Sequence, residues 1–224
     1  GDGTGLEAHA DLVVSVPHGQ RISLHLAVGR VEVTNVEGDI MVDVSAADVE
    51  VSGTRGPLSL DTGSGRVTVR DVTGDVNVDA GSGGISFSGI KGNILELDTG
   101  SGGVDGADVD VREFKLSVGS GGIRVSRVKA PRIEVESGSG SADIGVLGDV
   151  ESVRVESGSG GVTLRVPQTF SAEIEAETGS GGFQTDFELV TRRLGRNHTQ
   201  GRIGDGKARV RLESGSGTIR LLKS

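Results

Sequence analysis

Short runs in which apolar and polar residues alternate, separated by glycine-rich turns, fill the chain from about residue 12 to its end. In the unit from Val67 to Gly81, Val67 and Val69 alternate with Thr68 and Arg70, and Val72 precedes a Thr73-Gly74-Asp75 corner. Val76 and Val78 then alternate with Asn77 and Asp79 ahead of a Gly-Ser-Gly turn. Period-two alternation of β-branched residues between turn residues predicts two short strands per unit. The scheme returns with Ile85, Phe87, Ile90, Leu95 and Leu97, and again with Ile123, Val125, Val128, Ile133 and Val135. In the turns, the glycines are expected to supply positive φ or to let the backbone pass close to its neighbour, with the serine bonding locally and stacking on the serine of the next unit.

The Gly-Ser-Gly triplet begins at Gly63, Gly81, Gly100, Gly119, Gly138, Gly158, Gly179 and Gly215, in steps of 18, 19, 19, 19, 20, 21 and 36 residues. Ser45-Ala46-Ala47 and Ala27-Val28-Gly29 fit the same frame as degenerate earlier copies. Almost the whole chain is therefore one repeated unit. A single unit has too few aliphatic side chains to offset the entropy of ordering its backbone, so stacking is obligatory. The expectation is an all-β, single-domain β-solenoid, parallel β-helix-like, of about ten rungs of 18 to 21 residues, with neighbouring rungs about 4.8 Å apart. Hairpins in an antiparallel sandwich are the alternative; identical turns in identical register are favoured by stacking and are not required by a sandwich. Residues 1–11 are expected to be a flexible lead and 12–224 the repeat domain. The 36-residue step leaves an insertion at about 188–206, with Arg192, Arg193, Arg196 and His198 as candidate contacts of a capping or functional loop.

Composition supports burial without aromatics: 39 glycines, five Phe, no Trp, Tyr or Cys, and no apolar run long enough to span a bilayer. The formal net charge of -9 excludes nucleic acid as the main partner. Residues 1–112 carry 18 acids against 7 Lys and Arg, and residues 113–224 carry 14 against 16, so the rod has an acidic half and a near-neutral half. Head-to-tail contact or a cationic partner follows from that split.

Motifs with chemical associations dissolve into the repeat. Asp61-Thr62-Gly63-Ser64 and Asp98-Thr99-Gly100-Ser101 spell an aspartic-protease signature, but equivalent positions elsewhere read Asp79-Ala80, Glu136-Ser137 and Glu156-Ser157. Gly201 to Ala208 nearly matches a phosphate-binding loop, yet Ala208 replaces the Ser or Thr that holds magnesium. The histidines share no metal-ligand spacing, and no cofactor is expected. What remains is an acidic ladder, Asp43, Asp61, Asp79, Asp98, Glu136, Glu156, Glu177 and Glu213, at matching positions of the repeat. Either the turn's own N–H groups satisfy these carboxylates, or they bind cations or a basic partner.

The entry Val14-Ser15-Val16-Pro17-His18-Gly19-Gln20, the following Gly29-Arg30-Val31-Glu32-Val33, the repeated Gly-Ser-Gly-Gly-Val/Ile and the ending Gly204 to Ile219 resemble a bacterial family of β-strand-repeat proteins known as "putative adhesins", a domain of unassigned function. The resemblance implies a β-solenoid exported to the periplasm or cell surface, either free or tethered by a segment outside this chain, and it carries over no binding residues. Combined with the repeat, it points to a non-enzymatic envelope protein of adhesion or scaffolding, with a cell-surface glycan, a protein or another copy of itself as partner. A sensor or decoy that takes cationic peptides on its acidic face is the alternative. A polysaccharide-cleaving solenoid is disfavoured by the scarcity of aromatics that stack on sugar rings.

Overall fold

A computed structural model describes residues 12–195 and 197–224. The lead expected over residues 1–11 lies outside the described residues. All described regular structure is β, in twenty strands. β1 (Gln20–Thr34) and β2 (Gly38–Ser52) each run round both sides of one coil. Strand pairs follow, one pair per coil: β3 (Leu58–Ser64) and β4 (Val67–Thr73), β5 (Val76–Ser82) and β6 (Ile85–Lys91), β7 (Ile94–Ser101) and β8 (Val104–Asp110), β9 (Glu113–Ser120) and β10 (Ile123–Lys129). Next come β11 (Arg132–Ser137) and β12 (Ala142–Val146), β13 (Ser152–Ser157) and β14 (Val162–Val166), β15 (Ala172–Thr178) and β16 (Phe183–Thr185). β17 (Val190–Leu194) and β18 (His198–Ile203) form a hairpin, and β19 (Ala208–Ser214) and β20 (Ile219–Lys223) close the chain.

Neighbouring coils pair in parallel throughout the stack, which establishes the β-solenoid and removes the antiparallel sandwich. Counting β1, β2, the seven pairs to β15/β16 and the pair β19/β20 gives ten coils. Inward side chains stack in columns, for example Leu58, Val76, Leu95, Phe114 and Ile133 on one side, here the A side, and Val67, Ile85, Val104 and Ile123 on the B side. All of these are buried in one continuous core. Where volume changes within a column, a neighbour compensates. Phe87 stacks on Gly106, where any Cβ would strike its ring, and Phe87 meets Phe114 across the core at 6.2 Å.

The coils do not stack in sequence order at the C-terminal end. β13 pairs with β19, and β19 pairs with β15, so the last coil of the chain is inserted between the coil of β13/β14 and that of β15/β16. The 36-residue step is the detour that makes this possible. The chain builds the outer coil first, crosses the end as the hairpin, and returns beneath. β18 pairs antiparallel with β15, and β17 antiparallel with β18, so the A side is two strands taller than the B side at this end.

Close backbone approach is what the turn glycines provide in every copy. A Cβ on Gly100 would lie 2.6 Å from the carbonyl oxygen of Gly81, and Gly81, Gly119, Gly138 and Gly158 face the same obstruction from the coil below. The second glycine of the triplet is equally obstructed, and only at Gly65, Gly83, Gly102 and Gly121 does it also need positive φ. From Ser137 onward a buried hydroxyl replaces that device: Ser137 Oγ accepts from Gly140 N at 3.0 Å, Ser157 Oγ from Gly160 N at 2.9 Å and Ser214 Oγ from Gly217 N at 2.7 Å. A further corner escapes the repeat pattern. Asn35, Gly53, Asp71, Gly89, Asp108 and Arg127 occupy equivalent left-handed positions, with φ between 52° and 69°.

Gly100→Ala is expected to destabilise the fold by about 1–3 kcal/mol, since the obstruction is backbone and cannot rotate away. Gly182→Ala, with no atom within 4 Å of the added Cβ, is expected to stay within about 0.5 kcal/mol of the parent, and urea titration of both variants checks the pair.

Candidate functional site

Outward side chains obey the same register as the core, so each coil contributes to straight ridges along the rod. On the A side the pairing aligns Asp43, Asp61, Asp79 and Asp98 in one column. Ser117 interrupts it, and Glu136, Glu156, Glu213 and Glu177 resume it in that spatial order. The inserted coil places Glu213 before Glu177, the reverse of their order in the chain. A histidine stands at each end of the column: His25 pairs with Asp43, its Nε2 3.8 Å from Oδ2, and His198 pairs with Glu177.

The ridge alongside decides the charge. Next to the four aspartates run Met41, Ser59, Asn77 and Glu96, none of them cationic; beyond Ser117's neighbour Lys115 come Glu134, Arg154, Arg211 and Glu175. Arg154 Nε donates to Glu156 at 2.6 Å and Arg211 pairs with Glu213, whereas among the described residues no hydrogen bond reaches the carboxylates of Asp43, Asp61, Asp79 or Asp98. The expectation that each turn satisfies its own ladder acid therefore gives way. The carboxylates that accept backbone N–H groups lie elsewhere: Asp48 from Arg66 at 2.7 Å and Asp75 from Asn93 at 2.8 Å, at turns one coil below, and Asp186 from Lys223 at 3.2 Å. The aspartate run is an open, unneutralised ridge, and the glutamate run is laced with arginine.

Among the ion pairs off the ladder, two lower a carboxyl. At the left-handed corner Asp108 accepts both Arg127 Nε and Nη2 at 2.6 Å, which holds its carboxyl below the usual range. Midway along the A side Glu113 is also lowered, mainly by the Lys115 ammonium at 3.0 Å, with Arg132 at 3.6 Å adding to the effect.

The insertion residues sit on the hairpin. Arg192 pairs with Glu173 at 3.1 Å, Arg193 is exposed on β17, and His198 Nε2 lies 3.9 Å from Glu175 Oε1. Arg196 lies outside the described residues. Below Arg192 a shallow depression of about 610 Å³ is lined by Arg154, Arg209, Arg211, Glu173, Glu175 and Gln200. Sequence reasoning linked Arg192 to neither Arg209 nor Arg211, because the step length signals a broken period without saying where the last coil docks. Among the described residues no group of three or more His, Cys, Asp or Glu side chains is arranged to hold a metal ion.

The β-solenoid agrees with the Toastrack DUF4097 family, whose model matches residues 7–222. The chain belongs to that family. The family assigns this Toastrack solenoid no function. A solved structure from Clostridium sporogenes ATCC 15579, a "putative cell adhesion protein", is similar over 92% of this chain and 93% of its own, at 12% identity and a TM-score of 0.30. Comparison with curated proteins finds no match.

Replacing Asp79, in the middle of the unneutralised run, by Asn is expected to raise the melting temperature at low ionic strength, by a gain under about 1 kcal/mol that fades as salt is added. Because the folded Glu113 titrates below its unfolded value, its contribution is present above the ordinary glutamate range and is lost as pH falls through the lowered value. A carboxyl-detected NMR titration is expected to show Glu113 moving back toward that range in Lys115→Ala.

Proposed function

We propose that this Toastrack solenoid is a non-enzymatic protein of the cell envelope, exported to the periplasm or cell surface, that works in adhesion or scaffolding by laying its ridged side along a repetitive partner. The observation that carries this reading is the unbroken register of outward polar columns from β2 to β15. Side chains repeated at strand spacing on a rigid core form a periodic lattice, and a periodic lattice fits a polymer better than it fits a small molecule. A polysaccharide of the envelope is the partner class with matching periodicity and hydrogen-bonding groups. Binding to a panel of envelope glycans and whole cells, at low and at high salt, tests it. Binding that survives high salt supports it, and silence across the panel removes it.

The unneutralised aspartate run favours a second reading, in which cationic peptides bind along Asp61, Asp79 and Asp98. That reading expects affinity that falls steeply with salt and drops at least about tenfold when all three become Asn, as loss of several charge contacts requires. Unchanged affinity in the triple variant rules it out.

A further inference from the structure

The detour at the C-terminal end builds a surface that the regular repeat does not. Because β19 lies between β13 and β15, Arg209 stands between Ser152 and Glu173, and Arg211 between Arg154 and Glu175. The hairpin brings Arg192 and Gln200 to the same face, and together these residues line the depression of about 610 Å³. That volume lies within the range of pockets that take a small ligand or one unit of a larger one, about 300–1,000 Å³.

Which donors are free decides what the depression can hold. Its two acids are already engaged from the hairpin, Glu173 by Arg192 at 3.1 Å and Glu175 by the Gln200 amide at 2.9 Å. Arg154 and Arg211 each give one edge to Glu156 and Glu213. Among the described residues neither Arg154 Nη1 nor the Nη groups of Arg211 donate to a partner. Arg209 is exposed, and among the described residues no carboxylate comes within ion-pair distance of its guanidinium. The stacked pair Arg154 and Arg211 are like charges one strand spacing apart, a repulsion that an anion beside them relieves.

Charge limits the ligand as firmly as the donors select it. Glu156, Glu173, Glu175 and Glu213 match the four arginines of the depression in number, so these residues make no net field that would gather a polyanion. The aspartate run from Asp43 to Asp98 repels a polyanion along the other half of the rod. A single oxyanion, held at short range by directional guanidinium N–H groups, satisfies both conditions. Around it Ser152, Gln200 and the carboxylates of Glu173 and Glu175 supply the donors and acceptors that sugar hydroxyls require.

From this arrangement we propose that the depression binds one acidic sugar, a carboxylate- or phosphate-bearing unit of an otherwise neutral glycan. The oxyanion sits on Arg209 and Arg211, with the hydroxyls toward Glu175 and Gln200. The proposal rests on the polysaccharide reading above for the polymer alone, and it adds a fixed point at which that polymer is held to the ridges.

An NMR titration that follows the arginine Nε–Hε resonances of the 224-residue chain tests it, with trisaccharides that differ only in a terminal glucose, glucuronate or glucose 6-phosphate. A saturable shift at Arg209 and Arg211 is expected with an acidic terminus and none with glucose, and the tighter acidic probe identifies the oxyanion. Arg209→Gln is expected to weaken binding at least about tenfold, as loss of a charge-assisted contact requires. Arg124→Gln, at an exposed position on the B side, is expected to leave it unchanged, and Glu173→Gln, which releases Arg192, to tighten it at least about twofold, with circular dichroism confirming each fold. An equal response to the glucose terminus, or acidic probes indifferent to Arg209→Gln, overturns the proposal, and an acidic peptide that binds as tightly as the acidic sugars overturns it in favour of a protein partner. Long neutral glycans that bind the parent and Arg209→Gln alike, with the acidic trisaccharides silent, overturn it and leave the ridge reading standing. Acidic trisaccharides that bind while every long glycan is silent support the site and remove the ridge reading instead.

Discussion

Everything outward in this protein depends on the distance between coils, and that distance is set by backbone hydrogen bonds between parallel strands. Holding a turn at the same spacing brings carbonyl oxygens of one coil into the space where the next coil's Cβ atoms would lie, at Gly81, Gly100 and Gly119 and again at Gly83, Gly102 and Gly121. Glycine in those columns is a steric requirement of the stack and only secondarily a matter of φ. The same constraint removes any freedom of lateral slip. Once turns must superpose, every side chain is forced above its equivalent, whether that is a buried leucine on a phenylalanine or an aspartate on an aspartate.

The acidic ridge is best understood as a consequence of that forced register. Like charges at strand spacing are unfavourable, and the chain deals with them in two ways. In the second half it places Arg154 and Arg211 two residues before Glu156 and Glu213, on the same face and within hydrogen-bond reach. In the first half it leaves Asp61, Asp79 and Asp98 beside Ser59, Asn77 and Glu96, where water and salt alone screen them. Repetition explains the presence of a ladder; it does not explain why one half is neutralised and the other is not, and that asymmetry is where selection for a partner would show.

Much of the fold was legible in the sequence because the solenoid repeats one decision many times. Alternation fixed which residues face inward, and the triplet spacing fixed the register, so the column from Asp43 to Asp98 follows directly from counting. Features that break the repeat were not legible. The left-handed corner is spelled Asn35, Gly53, Asp71, Gly89, Asp108 and Arg127, six positions whose shared property is backbone conformation and not side-chain type. Ser117 hid the gap in the ladder because the column had been assembled from acids. The placement of Arg209 and Arg211 under Arg192 depends on a non-sequential contact between β19 and β13, and local pattern contains no information about it.

That contact also bears on how a stack of marginal units ends. A coil at the end of a solenoid has one neighbour, loses half of its pairing, and opens first. By returning β19 and β20 beneath β15 and β16, the protein gives its C-terminal coil two neighbours and assigns the outer position to a coil that is tethered on both sides in sequence, covered by β18 and closed by Phe187 over Phe170 at 6.4 Å. Fraying is thereby displaced to the opposite end, where among the described residues β1 has a single neighbour and Leu26 stands partly exposed. A rod secured at one end and open at the other has a direction, and that direction, more than the composition of any single ridge, determines how such a molecule can be joined to something else.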